Sequence, residues 1–134
     1  MRTYVLDASA LFVFLRDKPG ASKVEELLTE AIRGRANVMM SAVNYGEVYG
    51  LILRQLGPEQ AVMVAYAVSP LPIAVLDVTP QRACQAADVK VKHKLYYADS
   101  FTAALAIEHK ASLVTGDSDF RKLGHVVPVV WLKV

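Results

Sequence analysis

Five carboxylates stand where an alternating α/β chain would gather them: Asp7, Glu47, Asp99, Asp117 and Asp119. Asp7 closes the apolar run Tyr4-Val5-Leu6, and Asp117 follows Leu113-Val114-Thr115-Gly116. Glu47 and Asp99 each fall in what reads as the first turn of an amphipathic helix. Strands of a parallel sheet end on the edge where the following helices begin, and clefts form there. Carboxylates crowded into a partly buried cleft repel one another and lose hydration, and both effects cost free energy. A hard divalent cation reverses that balance, because Mg²⁺ and Mn²⁺ prefer oxygen-rich anionic sites. The pattern therefore predicts a metal-dependent enzyme acting on phosphates. One or two ions would activate water, align the scissile phosphate and neutralise the leaving oxygen.

Each acid has a plainer explanation when taken singly. Asp7 reads as a helix cap or turn residue. Glu47 completes a capping box if Asn44 is the cap. Asp99 suits a helix N-terminus through the macrodipole, and Asp117 and Asp119 suit a turn. Their joint placement is what favours a site. Ser9, Ser41 and Thr115 are hydroxyls close to these acids, fit either to orient a carboxylate or to serve as caps and strand-end donors. Asp77 lies inside a strand run and reads as structural. Glu25, Glu26, Glu30 and Glu59 read as solvated helix faces. No Ser-His-Asp or Cys-His arrangement and no glycine-rich phosphate loop offers another mechanism. His93, His109 and His125 have no ligand-like spacing.

The elements that must position the acids follow from the punctuation of the chain. Strands are predicted over 3–7, 37–43, 73–78, 112–116 and 126–132. Helices are predicted over 10–15 (Ser9 as cap), 21–33, 45–56 (Asn44 as cap), 59–69, 80–92 and 98–110. Val24, Leu27, Leu28, Ala31 and Ile32 form the apolar stripe of the second helix. Thr79-Pro80 is a cap followed by proline at the first helical position. Residues 117–124 read as a loop or short turn. Strands alternating with helices argue an α/β sandwich with a mostly parallel sheet.

Composition sets the outer limits. The 134 residues suit one domain spanning 1–134, with a real core. An apolar share of 54% suits buried strands and leaves surface for an oligomer or protein partner. No apolar run is long enough to span a bilayer. The start, Met1-Arg2-Thr3, lacks a signal-peptide apolar region. A lone Cys84, read as a helix packing position, excludes an intrachain disulfide. A cytoplasmic protein is expected. A net charge of +2 does not by itself mark a nucleic-acid binder, so any basic groove must be local. Lys90, Lys92, His93 and Lys94 form such a run before Asp99, suited to RNA phosphates or to a solvated helix end. Arg16, Tyr96 and Tyr97 are further candidates for RNA contact.

Four segments carry a family resemblance: Asp7-Ala8-Ser9, Asn44-Tyr45-Gly46-Glu47-Val48, Tyr97-Ala98-Asp99-Ser100-Phe101-Thr102-Ala103-Ala104-Leu105-Ala106, and Leu113-Val114-Thr115-Gly116-Asp117-Ser118-Asp119-Phe120. In this order they resemble the PIN domain family, and within it the VapC-type toxins of bacterial and archaeal toxin–antitoxin pairs. The resemblance covers essentially the whole chain, and the last two motifs are the specific ones. It implies a three-layer α/β/α sandwich and Mg²⁺- or Mn²⁺-dependent endoribonuclease activity on a structured RNA such as a tRNA or ribosomal RNA. Asp7, Glu47, Asp99 and Asp117 take the metal-binding acid roles. Asp119 falls on a second acid position of the last motif, and the division of labour with Asp117 stays open. Thr115 matches a supporting hydroxyl. The resemblance also implies a homodimer and a small cognate antitoxin that reaches the acidic pocket with a basic side chain. A dehalogenase-type phosphatase would need an acid at Ser9. A receiver domain would need an acidic pair after the first strand. A catalytically idle PIN-like binding module and a housekeeping RNA-processing nuclease are the remaining alternatives.

Overall fold

The computed structural model describes residues 1–133. Five strands pair into one sheet in which every pairing is parallel: β1 (Arg2–Leu6), β2 (Ala36–Ser41), β3 (Ala74–Leu76), β4 (Ser112–Thr115) and β5 (Val129–Trp131). The spatial order is β3-β2-β1-β4-β5. The chain therefore starts in the middle of the sheet, builds outward on one side and then crosses to the other. Val5 and Leu6 of β1 and Leu113 and Val114 of β4 are fully buried, as central parallel strands covered on both faces require.

Helices α1 (Ala8–Leu15), α2 (Ala21–Ile32), α3 (Ala42–Leu56) and α4 (Pro58–Val68) contribute to one core cluster, with Leu11, Val24, Ile52 and Ala61 among its buried members. Helix α6 (Tyr97–His109) and a 3-10 turn over Ser118–Leu123 contribute Ala103, Leu105, Phe120 and Leu123 to a second. Helix α5 (Pro80–His93) packs on α6 through Ala86, Phe101 and Ala104. The result is the expected α/β/α sandwich, with a sheet that is parallel throughout.

Several local expectations change. Asp7, not Ser9, caps α1: its Oδ1 accepts from the Ala10 amide at 2.8 Å. Ser41, not Asn44, caps α3 by accepting from the Val43 amide at 3.2 Å. The second strand thus ends at Ser41, and residues 42 and 43 belong to the helix. β3 and β5 shrink to three residues each, the stretches that find a neighbour to pair with. Pro128 lacks an amide proton, although its carbonyl still accepts from Leu113 at 2.9 Å. Of the two readings for residues 117–124, the short turn is the one that forms, as a 3-10 turn over Ser118–Leu123. Ile32 is 73% exposed at the last turn of α2, outside the stripe it was expected to complete. Cys84 lies exposed on α5, because that helix turns Ala83 and Ala86 toward α6 instead. Gly57 joins α3 to α4 at φ 91°, a conformation that disfavours a side chain.

Candidate metal centre

The C-terminal edge of the sheet receives acids from four separate chain segments. Asp7 follows β1 and is nearly fully buried. Its Oδ1 accepts from Ser9 Oγ at 2.7 Å and from the Ala10 amide, and its Oδ2 accepts from Thr115 Oγ1. Ser9 Oγ in turn accepts from the Gly116 amide at 3.1 Å, and Thr115 Oγ1 from the Asp117 amide at 2.9 Å. Two hydroxyls therefore lock the end of β4 to the start of α1 and fix the Asp7 carboxylate between them. Burial, partly offset by these hydrogen bonds, raises the Asp7 pKa to about 6.

Asp117 caps the 3-10 turn, its Oδ1 accepting from the Asp119 amide at 2.9 Å. Asp99 lies in the first turn of α6. One carboxylate oxygen from each of Asp99, Asp117 and Asp119 falls within 4.8 Å of the others, and all three side chains are partly exposed. Burial first, then the charges of Asp117, Glu47, Asp7 and Asp119, raise the Asp99 pKa to about 7. The same four neighbours that sequence order nominated are those that press on Asp99.

Glu47 sits in the second turn of α3, one turn deeper than its sequence neighbourhood predicted, because the helix starts at Ala42. Its Oε1 accepts from Asn44 Nδ2 at 2.9 Å. Asn44 is almost completely buried. Its Nδ2 also donates to the Ala98 carbonyl at 3.0 Å, and its Oδ1 accepts from Thr102 Oγ1 at 2.8 Å. Asn44 thus ties Glu47 to the turn before Asp99. Read as a cap, it was given the wrong task. Its burial is what demands those partners, because a buried amide must be hydrogen-bonded, and burial leaves no mark in the local sequence.

Among the described residues, none of the five acids pairs with Lys, Arg or His; the ion pairs lie elsewhere, such as Arg82–Glu108 at 3.0 Å. A negative cluster without a protein counter-charge fits a hard divalent cation, and an all-oxygen donor set suits Mg²⁺ or Mn²⁺. Asp77 stands apart, its carbonyl held by Arg82.

The candidate RNA contacts are dispersed. Lys90 and Lys92 are exposed in the last turn of α5, and Lys94 caps it in a left-handed conformation. Lys122, which lies outside that run in sequence, donates to the Lys94 carbonyl at 3.2 Å and lies 6.0 Å above the Tyr96 ring. The basic run thereby joins the turn carrying Asp119. Arg16 sits at the far end of α1 with its guanidinium 5.9 Å from the Phe12 ring. That is roughly 13 Å along the helix from Asp7.

The family model described as the PIN domain matches residues 4–126. No curated protein matches the chain. Among solved structures, a Rickettsia felis VapBC2 complex bound to a promoter DNA fragment has a chain similar to this one at a TM-score of 0.76 and 14% identity, covering 98% of this chain and 99% of that one. VapC20 of Mycobacterium tuberculosis, described as a toxin that cleaves the sarcin-ricin loop, aligns at a TM-score of 0.70 and 21% identity, over 90% and 95% of the two chains. A DNA-bound VapBC complex from Salmonella typhimurium aligns at 0.72 and 17% identity, over 97% and 98%.

Proposed function

The chain belongs to the PIN domain family, and from that premise we propose that it is a Mg²⁺- or Mn²⁺-dependent endoribonuclease, the toxin of a toxin–antitoxin pair, acting on a structured RNA in the cytoplasm. The observation that carries this reading is the convergence of four further acids on Asp99, none of the five paired with a basic side chain among the described residues, and burial with those charges raises the Asp99 pKa to about 7. A protein gains nothing from such crowding unless a cation relieves it.

Asp99, Asp117 and Asp119 would hold the ion, with Asp7 and Glu47 completing the negative wall. When bound, the ion supplies activation of the attacking water and neutralisation of the departing oxygen. The chain's own groups do the positioning. Ser9 and Thr115 hold Asp7 through its two carboxylate oxygens. Asn44 holds one oxygen of Glu47, and the Asp119 amide holds one oxygen of Asp117. Glu47 and Asp117 are thus each oriented through one oxygen, with the other left for a ligand, while Asp7 is held through both. Lys90, Lys92, Lys94 and Lys122 would hold phosphates on the rim.

The partner reading is a basic-armed antitoxin and a second copy of this chain. Support comes from the VapBC complexes among its structural neighbours and from exposed apolar side chains on α3 and α4, including Leu53, Leu56, Met63 and Tyr66.

The test is cleavage of total cellular RNA by the purified, partner-free protein with Mg²⁺ or Mn²⁺, with EDTA and Asp99→Asn as controls and cut ends mapped by sequencing. Discrete cuts that require both the metal and Asp99 are expected. Metal binding and RNA capture without any cut would replace the nuclease reading with that of an idle binding module.

A further inference from the structure

The outermost strand carries an aromatic and cationic group that the acidic site does not use. Trp131 is the sole tryptophan, ends β5 and is 45% exposed. It pairs in register with Thr115, whose hydroxyl bonds Asp7. Register-matched residues of neighbouring parallel strands share a sheet face, with the strands about 4.8 Å apart. The indole is therefore one strand away from the residue that fixes the buried acid, on the same edge of the sheet. The Arg121 guanidinium lies 5.9 Å from the indole centroid. Arg121 and Lys122 both belong to the 3-10 turn that Asp117 caps.

Beside them opens a cleft of about 470 Å³, lined by residues that include Phe120, Arg121, His125, Pro128 and Trp131 and no acid. The larger cleft of about 870 Å³ along α2 differs: it sets Arg2, Lys23, Arg33 and Arg35 among Glu25, Glu26 and Glu30, and three of those cations pair with Glu26 or Glu30. Of the two, the Trp131 cleft is the one that combines an exposed aromatic ring with a guanidinium and no carboxylate in its lining. That is the complement of a nucleic acid rather than of an acidic site or a mixed protein surface. Unstacked bases lie on aromatic rings whatever their identity, and guanidinium groups match phosphate oxygens.

We propose that the β5 edge is a nucleotide-binding subsite of the same ribonuclease, in which an unpaired RNA base stacks on Trp131 while Arg121 holds an adjoining phosphate. The assignment rests on the nuclease reading for its substrate, but not for its binding. An RNA strand crossing the acidic edge meets repulsion there, and this flank supplies the attraction that keeps it in place.

Because Trp131 is the only indole, its emission reports the subsite directly. The experiment titrates the cleavage-silent Asp99→Asn protein with a single-stranded RNA of about ten nucleotides, while labelled RNA of the same sequence reads total binding by anisotropy. Saturable quenching of the indole is expected. In the same background, Trp131→Leu should weaken binding about tenfold, and Trp131→Phe should recover most of it. Arg121→Gln should weaken binding and make its salt dependence shallower. In the active protein, Trp131→Leu should raise KM about tenfold and leave kcat unchanged. RNA binding without an indole response, or an unchanged KM in a folded Trp131→Leu protein, overturns the subsite and leaves the nuclease standing. Quenching with the expected variant losses, but no metal-dependent cleavage by the native protein, removes the nuclease and supports the subsite. An indole response to an antitoxin peptide but not to RNA overturns it in favour of protein docking.

Discussion

At the scale of single residues, Ser9 and Thr115 hold Asp7 through its two carboxylate oxygens, and Asn44 holds Glu47. Asp7, Glu47, Asp99, Asp117 and Asp119 each adjoin a strand or helix end, so the alternation of elements alone nominated them. Asn44 and Thr102 escaped because a buried amide–hydroxyl pair 58 residues apart leaves no local pattern. Asp99 yields the sharpest test. Its folded pKa of about 7 lies above the ordinary aspartate value of 3.8, so between those values the folded chain keeps a proton that the unfolded chain has lost. Metal-free stability should therefore fall as pH rises from about 4 to about 7 and level off above that. Asp7 adds a slope of the same sign up to about 6. Thermal melts in EDTA should show Asp99→Asn more stable than the native chain at pH 8, with the gap closing toward pH 4. A less stable Asp99→Asn protein at pH 8 would mean that the acids do not crowd one another. Asn44→Ala removes the tie between Glu47 and α6 and leaves the Thr102 hydroxyl and Ala98 carbonyl without their partner. Urea unfolding should show a loss of about 1–3 kcal/mol. Calorimetry with Mn²⁺ should show affinity reduced about 10–100-fold.

At the scale of elements, the succession of strands and helices was accessible while their ends were not. Both misplaced caps have one cause. Serine and asparagine at 41 and 44 are each acceptable caps, and only the pairing of Ser41 with Leu76 decides where the strand must stop. At Asp7 and Ser9 the choice turns on which oxygen reaches the Ala10 amide. The 3-10 form of the turn after β4 has no sequence signature, because Ser118-Asp119-Phe120-Arg121-Lys122-Leu123 is too short to show periodicity; Phe120 and Leu123 pin it by burial. Ser41 allows capping to be separated from chemistry. Ser41→Ala should cost about 1 kcal/mol in thermal or urea melts. Mn²⁺ affinity should stay unchanged, since Ser41 bonds none of the five acids. A large fall in metal affinity would place Ser41 in the site.

At the scale of the whole molecule, the exposed apolar side chains of α3 and α4 ask for a cover. Met63 is 61% exposed and Tyr66 is 77% exposed, more than solvated helices normally leave bare. If a second copy provides that cover, Tyr66→Glu should turn a dimer into a monomer in sedimentation velocity while leaving the circular dichroism spectrum unchanged. A native chain that sediments as a monomer would leave that face to another partner. The order of the sheet has a different consequence. Asp7 finds Thr115 across 108 residues, and the three acids closest together, Asp99, Asp117 and Asp119, all lie in the last third of the chain. A polypeptide still emerging from the ribosome has exposed its first strand and α3 long before β4 can slot in beside β1. Until that insertion the acids have no common edge. On the proposed reading, a nuclease built this way would have no assembled site while it is being made, and would gain one only once β4 and the turn after it arrive.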